Sequence, residues 1–281
     1  MNKKFGDRRD GKKIKMNGFD RFLYYLKPRR SDSEVYISKT IDVTNLVEYM
    51  KEKKKENEKI TYFHLFCMAI GKVIYNRPLL NRFIVNKKYY DRNDVLIAFT
   101  AKVNYEDTSK EILKVIKIDP EDNLFSIKEK TLKAVSDVRN AKEEGTNSIM
   151  NIIGKLPSFL ISLVVKVVKY MDRHDLLPKS LINDNLYYST CIVSNLGSIK
   201  SSAIYHNLTD FGTSSILATF GEIREENGRK YAEAGINIDE RIADGVYFVK
   251  SVKLMQDILN NPKCLEGNVN DKIKETTKFK Y

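Results

Sequence analysis

With 281 residues the chain can bury a full core, as one large domain or two small ones. Hydrophobic residues make up 42% and charged residues 31%, which excludes a disordered chain, and no apolar run is long enough to span a bilayer. The formal net charge of +12 suggests affinity for anions, and nucleic acid, an anionic membrane and a phosphorylated cofactor all fit, although a lysine-rich composition accounts for it equally well.

The first twenty residues are polar and lack the apolar stretch of a signal peptide. Residues 1–18 carry Lys3, Lys4, Arg8, Arg9, Lys12, Lys13 and Lys15 with few apolar partners, and are predicted to form a flexible basic arm. Only Phe5 interrupts the charge, so the aromatic interleaving of a nucleic-acid arm is missing and nucleic acid is a disfavoured partner. The three cysteines, Cys67, Cys191 and Cys264, lie far apart and read as reduced thiols of a cytoplasmic protein.

From Phe19 the apolar content rises, and Pro28 breaks the run. Val35–Ile41 reads as a strand, followed by a helix with Leu46, Val47 and Met50 on one face and Asp42 or Thr44 as its cap. Thr61 caps a second helix that runs to the Arg77-Pro78 break. His64 within it reads as a packed or surface residue. Strand-like runs follow at 82–86, 94–103 and 112–118, the last two forming an antiparallel pair across the polar turn 104–109. Residues 124–144 make a charged amphipathic helix. Phe159–Met171 is the longest apolar run; with Lys166 and Lys169 inside it, it reads as a mostly buried helix, a membrane-surface helix being the alternative. Strands return at 187–193, 214–220 and 229–238. The sum is an α+β fold in a single domain, because neither a repeat nor a Gly/Ser linker divides it.

Phosphate-binding glycine loops, zinc-type Cys/His spacing and G-x-S-x-G are absent, and three separate histidines argue against a metal site. Two stretches carry chemistry. Val193-Ser194-Asn195-Leu196-Gly197 ends a strand in a small polar turn, where a serine can present its hydroxyl to an oxyanion and glycine permits close approach. Asp239-Glu240-Arg241-Ile242-Ala243-Asp244-Gly245 is a charged turn between a strand and a helix, held by rigid elements on both sides.

Together these stretches resemble the catalytic domain of the 2-oxo acid dehydrogenase acyltransferases, in the chloramphenicol acetyltransferase-like superfamily. That family has a Ser-Asn-Leu-Gly turn, matched by Ser194–Gly197, and an Ile-Leu-Ala-x-Gly strand, similar to Ile216–Gly221. It closes with Asp-His-Arg-x-x-Asp-Gly and a helix ending in Leu-x-Asn-Pro, similar to Asp239–Gly245 and Ile258–Pro262. Ile41–Leu46 and the break at Arg77–Arg82 are similar to its front half, so the likeness covers about Phe19 to Leu265 in order. It implies a chloramphenicol acetyltransferase-like fold, with a mixed central sheet and packed helices over residues 19–265, and leaves 266–281 as a polar tail.

The resemblance also implies a stand-alone acyltransferase, moving an acyl group from a coenzyme A thioester to a small-molecule acceptor as a homotrimer, with no metal and no membrane partner. Ser194 would stabilise the oxyanion. Asp244 would orient the site through a salt bridge to Arg29 or Arg30, and Asn195, Gly197 and Gly245 would line the substrate. His206, outside the family motifs, is read either as a further substrate-side residue that supplies an imidazole from another segment or as a surface loop histidine. The base position, histidine in the family, holds Glu240. An unperturbed glutamate sits about two pKa units below histidine, so it needs burial beside Asp239 or Asp244 to approach the same proton affinity. A catalytically inactive relative, serving as a ligand- or partner-binding oligomer, is the alternative. No lipoyl domain is recognised, and Ile112–Ile116 lacks the proline of the family's matching strand. The family's Phe-Thr-Pro loop is replaced at 204–213, so coenzyme A is expected as acyl carrier rather than lipoamide.

Overall fold

The computed structural model describes residues 6–102, 111–140, 152–183 and 185–274. Two sheets organise them. The larger has six strands: β2 (Glu34–Asp42), β5 (Val95–Lys102), β6 (Glu111–Ile118), β7 (Cys191–Asn195), β8 (Ile216–Glu226) and β9 (Arg229–Asp239), in the order β2-β9-β8-β7-β5-β6. The pairs β5–β7 and β7–β8 are parallel and the others antiparallel, so the sheet is mixed as expected. The smaller sheet has the order β1 (Gly11–Ile14), β4 (Lys88–Arg92), β3 (Arg82–Val85).

Alternation along the strands gives the large sheet one apolar face. Ala218 and Phe220 of β8, Val193 of β7 and Ala234 and Ile236 of β9 enter the core together. Against that face lie α2 (Thr44–Lys55), α3 (Tyr62–Asn76), α4 (Leu124–Asn140) and α7 (Gly245–Asn260). Phe66 of α3 stacks on Phe220 with ring centroids 4.0 Å apart, which locks helix to sheet. The cap of α3 is the one expected, whereas the N-cap of α2 is Val43, which makes no side-chain cap bond, and Thr44 is already helical. Asp42 accepts the Thr44 amide and hydroxyl at 2.9 and 2.7 Å, just ahead of α2. Thr61 and His64 form a reciprocal pair at the start of α3, so His64 is a buried capping residue.

Three expectations change. The basic arm is docked from residue 6 onward: β1 pairs with β4, and Arg8, 5% exposed, reaches Asp172 at 2.8 Å. The charge run concealed this because its anchors are distant carboxylates, invisible to a local reading. The described part of the C-terminal tail, to residue 274, is docked as well. Val269 is buried, and the Lys72 ammonium, inaccessible on α3, donates to the Asn268 carbonyl.

The apolar helix α5 (Ser158–Arg173) contradicts the expectation of burial: Phe159, Leu163, Val165, Val167 and Tyr170 are exposed, and only Asp172 is buried. The other helices include α1 (Gly18–Leu26) and α6 (Lys179–Ile182), and α1 also exposes Phe19, Phe22, Tyr25 and Leu26. No helix among the described residues is long and apolar enough to cross a membrane. The expected turn at 104–109 lies outside the described residues.

Candidate active site

Ser194 and Glu240 stand on different parts of the sheet. Val193 faces the core, so Ser194 points to the opposite face of β7. There it forms a row of small residues across the sheet: Ser194 opposite Thr219, Thr219 opposite Gly235, and Gly235 opposite Ser38. The Ser194 hydroxyl makes no hydrogen bond among the described residues and is only partly buried. Thr219 donates its hydroxyl to the Ile204 carbonyl at 2.8 Å, which draws the 201–208 segment over this face. A Cβ at Gly235 would come within 2.7 Å of the Thr219 hydroxyl and 2.8 Å of the Tyr36 hydroxyl, so glycine is required for the close approach. Tyr36 and Tyr205 meet edge to face at 5.2 Å on the same face.

Thr219, Gly235 and Tyr36 were not singled out from sequence. For Thr219 and Gly235 the only signal was a small residue in the middle of an apolar strand, which becomes informative once the register is known; Tyr36 carried none. The turn after Ser194 is tight. A Cβ on Gly197 would lie 2.7 Å from the Gly221 carbonyl oxygen, which explains the glycine, and Ser198 closes the turn by donating to the Asn195 carbonyl at 2.9 Å. His206 lies exposed on the covering segment, two residues beyond Ile204.

Glu240 follows the end of β9. Its amide donates to the Ser33 carbonyl at 2.9 Å, and its carboxylate takes the Lys27 ammonium at 2.6 Å. The side chain is 33% exposed, so it is not buried beside a second carboxylate, and its nearest charged neighbour is a cation.

The buried carboxylate of the motif is Asp239, at 1% exposure. It accepts from Arg241 at 2.8 and 2.7 Å and from the Ser33 hydroxyl at 2.8 Å, with Arg30 at 3.8 Å. Burial opposes the Arg241 charge, but its bonds to Asp239 outweigh that and raise its pKa. For Arg30 burial prevails, and its pKa is lowered.

Asp244 has a different place from the one expected. It is exposed, caps α7 by accepting the Tyr247 amide at 2.7 Å, and leaves Arg30 to Asp239 and Arg29 to Asp32. The salt bridge expected of Asp244 is therefore made by Asp239, because only Asp239 is still on the strand and directed inward. Gly245 opens α7 with free space around it.

Within one chain the two halves do not meet. Ser194 is level with Gly235, five residues before Glu240 along β9, which is about 17 Å along the strand and about 10 Å, two strand spacings, across it. Among the described residues no cluster of three or more His, Cys, Asp or Glu could hold a metal ion.

No protein-family model matches the chain. No curated protein matches it. Solved structures do. A probable dihydrolipoamide acetyltransferase from Listeria monocytogenes 4b F2365 is 18% identical, with a TM-score of 0.56 over 89% of this chain and 94% of the other. A truncated catalytic core of the 2-oxoacid dehydrogenase multienzyme complex from Thermoplasma acidophilum gives 16% identity and 0.58 over 89% and 99%. A chloramphenicol acetyltransferase gives 9% and 0.56 over 89% and 98%. Such likenesses establish architecture, and the chain has the α+β fold shared by chloramphenicol acetyltransferase and the catalytic cores of dihydrolipoamide acetyltransferases.

Proposed function

We propose that the protein is a stand-alone acyltransferase that moves an acyl group from a coenzyme A thioester to a small acceptor. It works as a homotrimer, with Ser194 of one protomer facing Glu240 of the next. The observation that carries this reading is the uncommitted Ser194 hydroxyl, set on the face of the sheet away from the core, in a fold that matches acyltransferase cores along nearly their full length. A hydroxyl there can donate to the oxyanion that forms as a nucleophile adds to the thioester carbonyl. Glu240 takes the base position as a carboxylate that accepts the nucleophile's proton, without the burial beside Asp239 or Asp244 that would strengthen it as a base, and Lys27 fixes its orientation. Asn195 and Gly197 shape the turn behind the oxyanion, while Gly245 and His206 lie on segments that border the approach of substrate.

Thiol release from a panel of acyl-coenzyme A esters tests the reading, with Ser194→Ala and Glu240→Gln as comparisons. Loss of one oxyanion donor costs about 10²–10³ in kcat, and loss of the base about 10²–10⁴. Turnover indifferent to both substitutions would eliminate this site. Activity gained only in Glu240→His would instead favour the non-catalytic alternative, because it would show that the glutamate had switched off a competent frame.

A further inference from the structure

A cavity of about 270 Å³ lies between the last turn of α5, the Pro28–Arg30 turn and Phe211–Gly212. Five of its lining side chains are cations: Arg29, Arg30, Lys169, Arg173 and Arg241. Two are carboxylates: one is ion-paired, and the other hydrogen-bonds only a backbone amide among the described residues and keeps its charge beside Arg29 and Arg30. Asp172 takes Arg8 at 2.8 Å, and Asp210 accepts the Arg30 amide at 2.6 Å.

Behind the wall a single buried carboxylate, Asp239, serves both Arg241 at 2.7 Å and Arg30 at 3.8 Å. Arg30 is 4% exposed and its Nε, nearest to Asp239 at 3.8 Å, is buried with no hydrogen-bond partner; burial lowers its pKa, although Asp210 and Asp172 add weaker attraction. Its other two guanidinium nitrogens donate to the Thr209 and Gly212 carbonyls, which are neutral. On the solvent side, Lys169 and Arg173 are exposed and make no ion pair among the described residues. The cavity thus has a buried cationic floor whose guanidinium donors are mostly bonded already, and two uncommitted cations, Lys169 and Arg173, on its outer wall. The field attracts anions, and the planar fork of Arg173 is free to take an oxyanion.

We infer that this cavity binds a phosphate-type oxyanion, borne by a small soluble molecule or by a lipid headgroup. Size limits the occupant: drug-sized ligand pockets span roughly 300–1,000 Å³, so this one takes an anionic head and not a whole coenzyme A. The site uses neither Ser194 nor Glu240, and binding is expected whether or not the chain turns over a thioester.

The test pairs two probes with two variants of equal charge change. Lys169→Glu/Arg173→Glu alters the exposed wall without touching the buried floor; Lys51→Glu/Lys54→Glu makes the same change on the exposed face of α2. Calorimetric titration with glycerol 3-phosphate reads the soluble source, and co-sedimentation with phosphatidylglycerol-containing vesicles reads the headgroup source. Thermal midpoints without ligand confirm that all three proteins fold.

Saturable binding of either probe that falls at least about tenfold in the wall variant, but less than about twofold in the α2 variant, is expected, since a charge-assisted hydrogen bond is worth roughly a factor of ten or more. The probe that binds identifies the source. Absence of binding to both probes, or an equal loss in the two variants, overturns the inference.

Discussion

At the residue scale the motif turn depends on Asp239. One carboxylate, 1% exposed, faces two buried guanidiniums and a hydroxyl, so removing its charge strands Arg30 and Arg241 in the interior. Asp239→Asn is expected to cost roughly 3–5 kcal/mol, the usual result of breaking one side of a buried ion pair. Urea unfolding of the variant beside the parent measures this; a loss under about 1 kcal/mol would mean that the arginines had found other anions or water. His64 supplies a pH signature. Burial pushes its imidazole down to about 4, while the unfolded chain takes up that proton near pH 6.5. Between those values the unfolded state binds more proton, so the His64 contribution is complete above pH 6.5 and is lost as the pH falls towards 4. The slope is at most about 1.4 kcal/mol per pH unit. In His64→Gln, whose amide oxygen can still accept from the Thr61 amide, that part of the slope should vanish, and superimposable stability–pH curves for the two proteins would contradict it.

At the element scale α7 shows why one aspartate can be misread. Asp244 satisfies a motif position, yet its carboxylate bonds the Tyr247 amide and so stabilises a helix end. Asp244→Ala should therefore lower stability by about 1 kcal/mol, whereas Asp244→Asn, which still caps, should stay near the parent; equal losses in both would show that charge and not the cap matters. Most elements were legible from sequence because their signals are local: Thr61 before an apolar helix, β-branched runs for β2 and β8, a polar turn after Asp239. What escaped needed a partner at a distance. The hairpin of β3 and β4 turns at Asn86 and Lys87, both at positive φ, with no glycine to announce it. β1 is a run of Gly, Lys and Ile whose only reason to be extended is the edge of β4. The register that gathers Ser194, Thr219, Gly235 and Ser38 into one row exists only across four separate strands.

At the scale of the whole molecule, residues 6–14 belong to the fold. Arg8 ties β1 to the end of α5 through Asp172, and Arg9 donates to the Leu177 carbonyl at 2.9 Å. Deleting residues 1–14 should lower the thermal midpoint by several degrees, as expected for losing buried ionic and strand contacts worth more than about 1 kcal/mol; an unchanged midpoint would return these residues to the status of a free arm. The apolar exposure of α1 and α5 was not legible either, because hydrophobicity in a sequence signals burial without saying in which assembly it is achieved. The sheet carries a consequence that belongs to genetics. Ser194 and Glu240 stand far apart on one chain, so on the proposed reading each working centre is made by two chains. A Ser194→Ala chain and a Glu240→Gln chain, each inert alone, should then rescue one another when refolded together, since about a quarter of the junctions in a randomly mixed ring pair an intact serine with an intact glutamate. Two dead alleles would behave as one partly living protein.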